Sequence, residues 1–133
     1  MATGVQGTTA RQYPYQLVHY LRKSFTKDDA GKVLSVGIVP AGALLLKPLS
    51  GVAVLTAFDS GTNKQIDIGT RANDDLFGTD LSLGTVGFVP IDEAVSALVA
   101  ADTEITATPD LTGTAATAGS GVIVIAYLPN NDQ

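Results

Sequence analysis

The chain has no cysteine, no tryptophan, one histidine and one methionine in 133 residues. Without cysteine there is no disulfide framework and no thiolate metal site. With one histidine, any Ser-His-acid triad must use His19. That residue sits among Leu17, Tyr20 and Leu21, and no Gly-x-Ser-x-Gly nucleophile elbow occurs. His19 therefore reads as a satisfied, partly buried histidine. Aromatic residues are 6% of the chain, which leaves few stacking platforms for a sugar. Charged residues are only 16%, so much of the surface is neutral, as expected where a small domain touches other subunits.

Long apolar runs are also missing. The longest lies near Gly121–Leu128 and is strand-sized, far short of the roughly 18 residues a membrane helix needs. Residues 1–7 carry neither the basic nor the apolar region of a signal peptide. The expectation is a soluble protein made in a cytoplasm, with no membrane partner.

What the chain does have favours pleated structure. It holds 15 Thr and 14 Gly against 5 Lys and 2 Glu, and helix formers other than Ala and Leu are scarce. Charge is uneven. Residues 1–48 hold six basic residues against two acids, and residues 49–133 hold two against eleven. An acidic body argues against nucleic acid as a partner. The basic N-terminal third suits an acidic neighbour, a second copy of the chain included, or is ordinary scatter of solvated charge.

One stretch specifies its local structure most clearly. Gly51–Phe58 and Lys64–Gly69 flank a loop with Gly61, and together they read as a hairpin whose turn glycine can take positive φ. In the second run Ile66 and Ile68 point inward, and Gln65 and Asp67 outward. The first run is apolar on both sides, with Val52, Val54 and Phe58 opposite Ala53, Leu55 and Ala57. A strand of that kind is covered on both faces, one cover being the core and the other a flanking segment or a partner.

Elsewhere, residues 1–12 read as a flexible N-terminal arm. Residues 13–25 fit strand and helix templates, with 15–21 leaning to strand on its Tyr and Val content. Thr26–Gly31 reads as a loop, and Lys32–Val39 as a strand with Leu34, Val36 and Ile38 on one face. Ala43–Leu46 is a short buried strand closed by Lys47-Pro48. Thr70–Asp80 is a polar excursion with a short helical turn at Asp74–Phe77. Gly84–Val89, Asp92–Val99 (which also fits a helix), Thr103–Thr108 and Gly121–Leu128 complete the strands, and 129–133 form a polar tail. About eight strands at regular spacing predict a single-domain, all-β, jelly-roll-like sandwich over residues 13–128.

No motif carries chemistry. Asp74, Asp75 and Asp80 are the best cation candidates, but their spacing is not that of a calcium loop, and solvated carboxylates explain them better. Asp92 and Glu93 are neighbours on an expected strand, so they point to opposite faces and do not flank one bond. Gly113–Gly121 is glycine-rich, but it lacks a Gly-Lys-Ser/Thr ending and leads into a strand rather than a helix. It reads as a connector. No catalytic, cofactor or metal residue is assigned, and an enzyme is not expected.

Three segments taken together carry a resemblance. They are Val39–Leu46, Val52–Thr62 with Ile66–Thr70, and Thr112–Tyr127. In that order they resemble the capsid decoration, or cement, proteins of tailed bacteriophages, which have a jelly-roll-like β-sandwich. The resemblance covers roughly residues 33–128. It implies a non-enzymatic homodimer or homotrimer on the capsid exterior, bound where major capsid subunits meet and stabilising the shell. Other phage modules, such as head-fibre or tail-fibre attachment and receptor-binding sandwiches, share such runs.

Overall fold

The computed structural model describes residues 18–93 and 98–129. The expected arm at 1–12, the segment at 13–17, the middle of the expected strand at 92–99 and the tail beyond 129 lie outside the described residues.

Nine strands are described. They are β1 (His19–Thr26), β2 (Leu34–Val39), β3 (Leu44–Leu45), β4 (Gly51–Thr56), β5 (Asn63–Gly69), β6 (Gly78–Ser82), β7 (Gly87–Pro90), β8 (Thr103–Thr112) and β9 (Ser120–Leu128). They form two antiparallel sheets. The first runs β1-β9-β4-β7, with β3 paired to the end of β9, and the second runs β2-β8-β5-β6. The chain passes between the sheets at six of its eight connections, and these two strand orders are those of a jelly roll. The all-β sandwich expected from composition is the fold observed.

The core lies between the sheets. Phe25, Val52, Val54, Ile123 and Ile125 face it from the first sheet, and Ile66, Ile68, Leu81, Ile105 and Ala107 from the second. Phe58 caps it, stacked on Phe25 with ring centroids 5.4 Å apart. Of the two apolar sides of the first run it is Val52, Val54 and Phe58 that face the core, and the expected inward positions of Ile66 and Ile68 hold.

The expected hairpin does not. β4 pairs with β7 and β9, and β5 with β6 and β8, so the two runs belong to different sheets. Residues 57–62 cross from one sheet to the other, and the Phe58 N–H donates to Leu83 O at 2.9 Å. Alternating apolar residues show which side of a strand is buried; they do not say which strand lies beside it. Nor does Gly61 adopt positive φ. It is needed for room, since a Cβ there would stand 2.6 Å from the Thr114 backbone nitrogen.

Smaller differences have local causes. In β2 a bulge between Ser35 and Gly37, with Gly37 at φ 150°, breaks the alternation. Val36 and Val39 are buried while Ile38 is 58% exposed, so Leu34, Val36 and Ile38 do not share a face. The segment leaning to strand is β1 from His19 and continues to Thr26, five residues beyond the expected end. Thr26 caps a 3-10 turn at Lys27–Asp29, receiving the Asp28 N–H. The polar excursion hides a strand, β6, and Asp74–Phe77 forms a turn without a helix. β8 runs to Thr112, which shortens the following loop.

Candidate functional site

The two sheets differ in chemistry. The strands of the first sheet contain no Asp or Glu, and their only Lys and Arg residues are Arg22 and Lys23. The strands of the second hold Asp67, Asp80, Glu104 and Asp110 against Lys64.

Register sets the outer face of the first sheet. Val52 pairs with Ile123, and both are fully buried in the core. The next pair, Ala53 with Val122, therefore points out, and Ala53 also pairs with Phe88 on β7. By the same alternation Val124 and Ala126 face outward, with Arg22 and Tyr20 beside them on β1. Val122 and Ala126 are little exposed, yet both stand outside the core cluster. The floor of this face is thus small and aliphatic. Its flanks are aromatic: Tyr20 is 63% exposed and Phe88 49%. The Phe88 ring lies over Gly51, where a Cβ would come within 3.0 Å of it. Three strand spacings separate β1 from β7, or about 14 Å. Leu55, 61% exposed, extends the apolar surface at a bulge of β4.

β1 does not fold over β4 but joins its sheet beyond β9. Among the described residues no further sheet or helix covers the outer face.

The outer face of the second sheet is polar. Glu104 accepts from Arg71 Nε at 2.6 Å and from Ser35 Oγ at 2.9 Å. The Arg71 bond, with the Ser35 bond adding, holds the Glu104 carboxyl below its usual range. Asp67 accepts the Asp80 N–H at 2.7 Å. Burial raises its carboxyl above the usual range, and the negative charges of Asp80, Asp74 and Asp75 add to the effect. A shallow depression of about 400 Å³ lies here, lined by Asp67, Thr108 and Asp110 among others. Among the described residues no group of three His, Asp or Glu is placed to hold a metal ion.

The remaining candidates separate. His19 opens β1 with its ring 5.8 Å from that of Tyr127. Its Nε2 is buried without a hydrogen-bond partner among the described residues, so the expected satisfied histidine is an unsatisfied one. Asp92 and Glu93 lie outside any strand and do not diverge. Asp92 Oδ1 accepts the Thr79 N–H at 3.0 Å, and Glu93 Oε1 accepts the Thr79 hydroxyl at 2.8 Å. They brace the start of β6. The glycine-rich connector is pinned by Asp59, which receives the N–H groups of Thr117 and Ala118 at 2.7 and 3.1 Å. Sequence gave no signal for this clamp, since its two ends lie 58 residues apart.

No family model and no curated protein matches the chain. Among solved structures, it is similar to a chain of the cyanophage Pam1 capsid asymmetric unit. The TM-score is 0.63 at 16% identity, with 97% of each chain covered. At that identity the likeness is one of fold.

Proposed function

We propose that this chain is a non-enzymatic structural protein of a phage virion. It binds the outside of the assembled capsid where major capsid subunits meet, as a homodimer or homotrimer, and reinforces the joint. The observation that carries this reading is the full-length fold likeness to a chain of a cyanophage capsid asymmetric unit. The apolar, acid-free face of the first sheet supplies a surface suited to a protein partner rather than to nucleic acid. The mechanism needs no chemical step. A protein that binds only the assembled lattice stabilises it by mass action. Many copies, each touching more than one subunit, raise the effective concentration, so weak contacts suffice.

Co-sedimentation with purified capsids that lack the protein tests this. The expected result is saturable, shell-wide binding and a higher temperature of capsid disruption. Binding confined to a vertex or tail would instead make it an attachment module. No binding to any part of the particle would overturn the reading.

A further inference from the structure

The outer face of the first sheet combines a small aliphatic floor (Ala53, Val122, Val124, Ala126), aromatic walls at Tyr20 and Phe88, and a positive charge at Arg22 on its edge strand. We infer that this face is the docking surface, and that it seats a folded protein surface with an apolar ridge bordered by carboxylates on the β1 side. The inference rests on the proposed function and names the chemistry of the partner.

Charge complementarity selects that occupant. The body of the protein is acidic, with a net charge of −5, yet not one acid stands in the strands of this sheet. Arg22 is exposed on the outer face beside Val124, on the edge strand β1. A second copy of the same face brings no strand carboxylate to meet Arg22. Against an acidic partner the same asymmetry orients the molecule. The carboxylates of the second sheet are repelled from the shell, and the first sheet turns toward it.

The test is co-sedimentation of full-length protein with capsids lacking it, across a salt series. The variants are Arg22→Glu and Phe88→Glu on the first sheet, and Lys64→Glu on the second. All three side chains are exposed, so the sandwich is expected to form, and circular dichroism with melting checks it. Arg22→Glu is expected to weaken binding about tenfold and to flatten its dependence on salt. Phe88→Glu should weaken binding at every salt concentration, and Lys64→Glu should bind as the parent does. Wild-type binding with both first-sheet variants unaffected overturns the inference and leaves the proposed function standing. A dimer in free solution that Phe88→Glu dissociates gives the face to a second copy and also overturns it. Absence of wild-type binding overturns both.

Discussion

The carboxylate of Asp59 holds Thr117 from across the sandwich end, accepting both its N–H and its hydroxyl, with Ala118 N–H as a third donor. The Thr117 hydroxyl bond contributes most to holding the Asp59 pKa at about 2 against an ordinary 3.8, with the Ala118 and Thr117 N–H bonds adding. A depressed acid contributes stability that is present above its unfolded pKa and lost as pH falls through the folded one. Asp59→Ala should lower the melting temperature above about pH 4, and the difference from the parent should shrink toward pH 2. A difference that stays constant down to pH 2 would refute the clamp.

Gly119 lies against the core ring that this clamp encloses. Its φ is 151°, and a Cβ there would stand 2.3 Å from Phe58 Cδ2. Gly119→Ala combines strained backbone with a clash against a buried ring, and the expected loss is about 1–3 kcal/mol. Phe58→Ala, which opens a cavity beside Phe25, should cost about 3–5 kcal/mol. Urea unfolding of both variants is the check.

Ser50 is fully buried and links three segments. Its hydroxyl donates to Leu46 O at 2.8 Å and accepts the Ala126 N–H at 3.0 Å, while its carbonyl receives the Ile91 N–H. Ser50→Ala leaves a buried N–H unpaired, and the expected loss is about 1–3 kcal/mol. Faster hydrogen exchange at the Ala126 amide would locate the damage.

Thr106 is the converse case. It is fully buried, and its hydroxyl has no hydrogen-bond partner among the described residues. Thr106→Val keeps the shape and removes an unpaired polar group, so stability should rise by about 1–2 kcal/mol. A loss in denaturant midpoint would show that the hydroxyl is satisfied.

Asp67 shifts the other way from Asp59. Burial and its acidic neighbours raise its pKa, so the folded state binds a proton more readily than the unfolded one. Its contribution is favourable below the unfolded value and is lost as pH rises through the folded one. Asp67→Asn, whose amide oxygen still accepts the Asp80 N–H, should melt higher than the parent at pH 7. The gap should close as the solution is acidified toward pH 4. Equal melting at pH 7 would show that the charge costs nothing.

The sequence by itself determined the class of the fold and the buried side of the run at Lys64–Gly69. Thr, Val and Ile content with few helix formers called for β-structure, and the alternation at Ile66 and Ile68 placed those side chains in the core. It also marked Val52–Phe58 as apolar on two sides. Periodicity acts within a strand and carries no term for its neighbour, so the partners were not legible. Only tertiary structure sent β4 and β5 to opposite sheets, turned Ile38 outward through a bulge, and brought Asp92 and Glu93 together on Thr79. The acid-free face was invisible for the same reason. Its residues come from β1, β4, β7 and β9, distant in sequence, and become one surface only when hydrogen bonds set those strands side by side.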